Sequence, residues 1–217
     1  MHHEHDLPAE QRRHWEQVYR ENPDMYGLEP SEPALFAAEL MREHQAHNVL
    51  ELGAGHGRDA LHFARCGLNV HATDISESAL EQLRAHARAA GLDVHTAVHD
   101  VREPLPHEDA SMDVVFAHML LCMALSTGEI RAATSEIARV LRPGGHLVYT
   151  VRHTGDAHYG TGTPHGDDIY EHGGFAVHFF SREHVDALAS GWQLLEVHPF
   201  EEGSLPRRLW RVTQRKP

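Results

Sequence analysis

The chain has little cysteine, no surplus of positive charge and no long apolar run. Its two cysteines, Cys66 and Cys122, cannot make a disulfide framework. Both sit in apolar stretches of sequence and are expected to be buried, reduced thiols. Nineteen basic residues against 32 acidic ones leave a formal net charge of −13. That balance argues against a nucleic-acid partner, because phosphate binding relies on clustered positive charge. The one basic cluster, "RRLWRVTQRK", alternates with apolar residues and predicts a final strand with solvated arginines. The longest apolar run, 114–125, contains His118 and is too short to span a bilayer, so no membrane partner is expected. The first residues, "MHHEHDLPAEQRRHWEQ", lack the apolar core of a secretion signal, and a cytoplasmic setting is expected.

What is abundant is histidine, with 22 residues. Mild acid would protonate them and carry the formal charge from negative through neutrality, which makes solubility and ligand binding pH-sensitive. A length of 217 residues suits one domain with a sizeable core, and no repeat or linker divides it.

Hydrophobic periodicity predicts helices over 8–20, from Ser31 to about His44, and over 58–65, 77–90, 128–141 and 181–189. Strands are predicted over 48–52, 68–73, 94–98, 112–117, 146–152, 192–198 and 208–213. "ENPDMYGLEP" reads as a loop, and "LRPGG" at 141–145 ends a helix and opens a strand. Alternation of strands with helices implies an α/β fold with a mostly parallel, seven-stranded sheet and helices on both faces. The short connection between the last two strands predicts an antiparallel hairpin, hence a reversed edge strand. The whole chain reads as one domain. A helical cap covers 1–45, a ligand-binding core 46–152, an insertion 153–180, and a C-terminal helix with β-hairpin 181–217.

The chemistry is concentrated in "NVLELGAGHGRDALHFARCGLNVHATDIS", residues 48–76. Gly53, Gly55 and Gly57 alternate after a strand, and Asp74 follows about twenty residues later. Glycines here let the backbone approach a ligand at the carboxyl edge of the sheet. A dinucleotide fingerprint would place its third glycine one residue later. Arg58 occupies that position, and Glu51 and Asp59 would oppose a pyrophosphate. The alternative is a ligand-free strand–helix turn, which needs fewer glycines. For Asp74 the structural alternative is a residue that merely introduces the next helix; for Asp100 it is a solvated loop acid.

Five blocks occur in order: "VLELGAGHGRDALHFA", "VHATDIS", "VHDVREPLP", "MDVVFAHMLLCM" and "LRPGGHLVYTV". Together they resemble the class I S-adenosylmethionine-dependent methyltransferases over roughly 45–152. "GRDALHFA" and the N-terminal W-x-x-x-Y … YG-x-E-P-S wording are similar to the small-molecule, tellurite-resistance or thiopurine-like branch. The resemblance implies S-adenosylmethionine as cofactor, S-adenosylhomocysteine as its product and a Rossmann-like fold. It implies that Gly53, Ala54 and Gly55 line the methionine moiety with backbone atoms, that Glu51 belongs to the cofactor-binding set and that Asp74 accepts the ribose hydroxyls. Ile75 would pack on the adenine, Asp100 and Val101 would meet its edge, and His118 would face the ligand through its backbone. Arg58 either holds the methionine carboxylate or braces the turn.

Methyl transfer needs alignment and exclusion of water, and a base only where the acceptor must lose a proton. The acceptor is expected to be a small molecule, such as a thiol, chalcogen or hydroxyl compound. Segment 15–30, with Trp15, Tyr19 and Tyr26, and the insertion 153–178 are the candidates to close over it, though aromatic packing in the core explains those three side chains equally well. The insertion holds five histidines and six glycines. Its length suits a lid, with glycines that open and reclose it. His153 and His178 flank it and are the candidate bases, with Tyr26 as a further catalytic candidate. His158, His165 and His172 are expected to be solvated. No metal is expected, since the histidines lack metal-ligand spacing. The competing function is a non-catalytic S-adenosylmethionine- or metal-binding module, with His2, His3 and His5 in a histidine-rich surface. A monomer or homodimer is expected.

Overall fold

The fold was obtained as a computed structural model, which describes residues 6–203 and 207–217. Two helices lead in, α1 (Leu7–Glu21) and α2 (Glu32–Glu43). Asp6 and Ser31 cap them by accepting from the backbone three residues on. Strand β1 (Asn48–Leu52), α3 (Arg58–Arg65), β2 (Asn69–Asp74), α4 (Glu77–Ala90) and β3 (His95–Val98) then alternate. β4 (Met112–His118), α5 (Thr127–Val140) and β5 (Leu141–Arg152) complete the parallel part. An insertion carries β6 (Thr163–Gly166), β7 (Ile169–His172) and β8 (Phe175–His178). Helix α6 (Arg182–Leu188), β9 (Gln193–Glu202) and β10 (Arg207–Arg215) close the chain.

The main sheet has seven strands in the order β3-β2-β1-β4-β5-β10-β9. β1 through β5 run parallel, and β10 is antiparallel to both β5 and β9. The strand count and the terminal hairpin agree with the sequence reading. The reversed strand lies inside β9, which takes the outer place. β5 begins at Leu141, five residues earlier than expected, because the chain end pairs with it: Gly144 donates to Lys216 and Lys216 to Gly145.

Alternation along the strands sends side chains to two apolar layers. Leu50, Val115 and Leu147 join Ile130 and Ile137 of α5 and Val185 of α6 on one face. Val49, Val114 and Val148 join Met41, Phe63 and Leu80 of α2, α3 and α4 on the other. Cys122 is buried as expected, but Cys66 is exposed, because it caps the end of α3 just before the chain turns at Gly67.

The insertion departs most from expectation. It is a three-stranded antiparallel sheet with tight two-residue turns. Asp167 and Asp168 take positive φ of 51° and 57° in the first turn, and Gly173 and Gly174 take 58° and 84° in the second. These turns match the right-handed twist of a hairpin, so the glycines shape a built element rather than a slack loop. Its ends are fastened: His178 donates to the Cys122 carbonyl at 2.8 Å, and Phe180 bridges to His153.

Candidate active site

β1 delivers its last residues to a turn in which Gly53, Gly55 and Gly57 all have positive φ, at 70°, 55° and 91°. A Cβ on Gly55 would stand 2.5 Å from the Tyr19 hydroxyl, and one on Gly57 2.1 Å from Leu83. Both spacing and backbone conformation therefore demand glycine. Asp74, at the end of β2, is buried and faces this turn. Its carboxylate accepts from the Gly55 amide at 2.8 Å and the Ser76 amide at 2.9 Å. Burial pushes its pKa up, and those amides pull against the shift. Ser76 itself caps α4, accepting from Ala79. Asp59 is accounted for by the scaffold, since it accepts from both the backbone and hydroxyl of Ser31.

Turn, Asp74 and the neighbouring loops surround one cavity of about 440 Å³, a size typical of small-molecule sites. Glu51, Gly53, Ala54, Gly55, Arg58, Ile75, Asp100, Val101, His118 and Tyr26 also line it, so eleven of the thirteen predicted site residues meet there, Asp74 included. Glu51 is 3% exposed and its Oε2 has no partner. Burial first, then the fields of Asp59 and Asp74, push its pKa well above the carboxylate range. Such a carboxyl is an open socket for a cation. Asp100 is tied to Arg12 at 3.0 Å and to Arg102 at 3.1 Å. Burial opposes its ionisation, yet these donors hold its pKa low.

Glu202 was missed at the sequence level. It ends β9 and reaches His118 Nε2 at 3.3 Å and Arg58 at 3.4 Å. Burial opposes its charge, but His118, Arg58 and Arg207 outweigh it and bring its pKa to about 2. Arg58 thus braces this carboxylate while lying 5.6 Å over the Tyr26 ring. The alternation of β9 predicts only that one of two adjacent acids faces inward; their use depends on the fold.

The far side of the cavity is a roof built by α1 and the insertion. The Gln11 amide donates to Gly174 O at 2.8 Å and accepts from Ala176 N at 3.2 Å. Trp15 packs edge-on against Phe175 at 5.0 Å and stacks on Tyr19 at 5.6 Å. Glu16 anchors the same helix to α4 through Ser76 and Ser78.

Two predicted site residues are not brought to the cavity. His153 stacks on Trp210 at 4.5 Å and its Nδ1 accepts from Gly155. His178 is 1% exposed, bonded to the Leu125 carbonyl at 2.6 Å and packed against Phe180. Both flank the insertion as expected, but each ring turns into packing away from the cavity. His158 and His172, expected to be solvated, line the cavity instead, stacked at 4.5 Å. The alternation of a hairpin turned inward, visible only once β6–β8 are known, would have found His172. His165 pairs with Glu171 at 2.7 Å. Among the described residues no cluster of three or more His, Cys, Asp or Glu is set to hold a metal. His2, His3 and His5 lie outside the described residues.

Comparison with known proteins adds a second line. Residues 49–145 match the family described as "Methyltransferase domain". The chain is similar to dimethylglycine N-methyltransferase of Parasynechococcus marenigrum, 36% identical over 47% of this chain and 36% of that protein. It is similar to malonyl-[acyl-carrier protein] O-methyltransferase of Salmonella typhimurium, 32% identical over 51% of this chain and 41% of that protein. The chain therefore spans well under two thirds of these curated relatives. Among solved structures it resembles Burkholderia thailandensis 1,6-didemethyltoxoflavin-N1-methyltransferase, which holds 1,6-didemethyltoxoflavin and S-adenosylhomocysteine. There the TM-score is 0.77 at 20% identity, covering all of this chain and 91% of that one. TehB from Haemophilus influenzae gives 0.70 at 16%, covering 94% and 67%. These likenesses carry the fold.

Proposed function

We propose that this chain, whose residues 49–145 match the methyltransferase-domain family, is a class I S-adenosylmethionine-dependent methyltransferase that methylates a small-molecule acceptor held beneath the roof of α1 and the insertion. The observation that carries the reading is the convergence on one cavity of the glycine turn, Asp74 and the buried Glu51 carboxyl with its unpartnered Oε2. The residues fit the cofactor. Glu51 offers a counter-charge to the methionine ammonium, and the glycine turn offers bare backbone to the methionine. Asp74, with its oxygens each taking one amide, keeps lone pairs for ribose hydroxyls. Ile75 and Val101 offer apolar faces for the adenine, and Asp100 a carboxylate at its edge. Bound S-adenosylmethionine supplies a sulfonium methyl that is transferred by in-line displacement.

The chain's own contribution is alignment and dryness. Tyr19 closes the turn from above, and Glu202 fixes Arg58 and His118 at the wall. In this reading the cap assigned to 1–45 acts through its two helices, and the lid-like insertion 153–180 forms the second half of the roof of a single domain. The acceptor class is a small thiol, chalcogen or hydroxyl compound, and the narrower tellurite-resistance or thiopurine-like placement rests on the "GRDALHFA" and W-x-x-x-Y … YG-x-E-P-S wording. The solved neighbour that holds 1,6-didemethyltoxoflavin suits an acceptor that is a small molecule. Among the described residues no helix is long and apolar enough to cross a membrane, and we place the reaction in the cytoplasm, with no nucleic-acid partner and as a monomer or homodimer. The test is calorimetric titration with S-adenosylmethionine followed by a methyl-transfer screen over thiols, selenols, phenols and amines. Binding of S-adenosylmethionine with turnover of one class supports the reading. Tighter binding of NAD refutes it.

A further inference from the structure

Five histidines line the cavity: His56, His99, His118, His158 and His172. Their hydrogen bonds decide what each can do. His118 is occupied at both nitrogens, by the Thr150 hydroxyl at 2.7 Å and by Glu202. His56 Nε2 accepts from the Tyr26 amide at 3.3 Å. His99 follows β3 beside Asp100, on the side assigned to adenine. The remaining two form the stacked pair under the insertion.

In that pair the protons can be placed. Arg152 is a donor only, so His158 Nδ1, 3.1 Å from its Nη2, is an acceptor and the neutral ring carries its proton on Nε2. Arg152 is 8% exposed and held at two points by Asp156, which also accepts from the His158 and Arg208 amides. Burial first, then Arg152 and His172, lower the His158 pKa and keep the ring neutral. Thr161 has one hydroxyl proton, donated to the His158 carbonyl at 2.9 Å. Its oxygen, 2.8 Å from His172 Nε2, then receives Nε2–H and leaves Nδ1 of His172 as a free lone pair. The result is a base held by a third group, beside a fixed neutral donor. Around the pair, Tyr170, Phe175, Phe179 and Trp15 supply flat apolar walls to the same cavity. Arg152 lies over Phe179 at 5.1 Å. The neighbouring charge on β7 is Glu171, bonded to His165, and Arg207 of the last hairpin lines the same cavity beside Glu202.

We propose that His172 is the general base of the methyl transfer, acting through Nδ1 on a ring-bound O–H or N–H of a flat aromatic acceptor, with Thr161, His158 and the Arg152–Asp156 pair as positioning residues. In this step Nδ1 takes the acceptor proton and becomes imidazolium. The freed oxygen or nitrogen pair forms the new bond to the methyl carbon. The carbon–sulfur bond breaks, and its electrons remain on sulfur as a neutral thioether. The assignment rests on the reading of this cavity as a methyl-transfer site and goes beyond it by naming base and acceptor class.

The test uses 7-hydroxycoumarin, whose absorbance reports ionisation of its ring hydroxyl, added to protein loaded with S-adenosylhomocysteine. No turnover is needed. The wild type is expected to bind the coumarin in its ionised form at a pH where the free molecule is mostly neutral. His172→Gln should raise the apparent ionisation midpoint of the bound coumarin by one pH unit or more, a tenfold loss. Thr161→Val should shift it less and in the same direction, while His165→Gln should leave it unchanged. Calorimetry with S-adenosylhomocysteine, equal in all variants, shows that each remains folded. An unshifted midpoint in His172→Gln overturns the base. A wild type that binds S-adenosylhomocysteine but not the coumarin overturns the acceptor class. Failure to bind S-adenosylhomocysteine at all removes the underlying reading instead.

Discussion

The two sides of the cavity are built by opposite means. On the cofactor side, five residues between Glu51 and Arg58 and one aspartate at the next strand end do most of the work, and they lie close in sequence. On the acceptor side, Gln11 and Trp15 meet Gly174 and Phe175 across more than 150 positions of chain. The first side is a turn with a demanding backbone; the second is an interface between a helix and a small sheet. Local constraint leaves a signature of residue types, whereas an interface leaves only side chains that any surface could hold. In the proposed reading, chemistry shared by a whole class is therefore written in the first, and selectivity for one substrate in the second.

Mutations should separate the two sides, and the largest effect is expected at the turn. Gly57→Val places a branched Cβ at φ of 91° and against Leu83. We expect a loss of about 2–5 kcal/mol in folding stability from strain and overpacking together. Urea unfolding measures it; an unchanged midpoint would mean the turn is not the rigid element described.

Asp74→Ala comes next. It removes a buried charged acceptor and should weaken S-adenosylmethionine binding by about 1.5–3 kcal/mol, read by calorimetry. Equal affinity would detach the ribose role from Asp74.

This gradient also explains what could be read without the fold. The strand count, the terminal hairpin, the cap Ser31 and the pairing of the glycine turn with Asp74 follow from periodicity and spacing of adjacent elements, and the family resemblance adds Asp100. Glu202 and His172 were not legible, because their partners His118 and Thr161 come together only through pairing of hairpins. His153 and His178 are candidates in the sequence because they flank the insertion. Their rings instead meet Trp210 and Phe180, contacts that no spacing encodes. The strands of the insertion are not legible either: Gly173 and Gly174, the two residues of a tight hairpin turn, read in sequence only as part of a long glycine-rich loop.

Acid provides the third comparison. Burial, and then neighbouring His44, Arg215 and Arg142, lower the His146 pKa to about 4. Burial and His178 do the same for His184. The unfolded chain protonates such residues near 6.5, so it binds more protons than the fold between about pH 6.5 and 4. Stability is thus full above the upper value and falls as pH drops through the window. His146→Gln should flatten that decline by roughly 1–2 kcal/mol, followed by thermal melts from pH 7 to 4. A variant that melts with the wild-type pH profile would show that His146 does not drive it.

The smallest effect is expected at the roof. Gln11→Ala deletes two hydrogen bonds to the insertion and should cost about 1 kcal/mol. It should raise the KM for the acceptor with S-adenosylmethionine affinity unchanged. A change confined to cofactor affinity would erase the division between the two sides.

The most direct test of that division is amide hydrogen exchange, recorded before and after S-adenosylhomocysteine and then with a turned-over acceptor added. The account predicts that the nucleoside protects the backbone at 53–57, 74–76 and 100–101 first, and that the acceptor then adds protection at 169–178 and along α1. Protection by S-adenosylhomocysteine that skips the glycine turn, or appears only in the insertion, would contradict it.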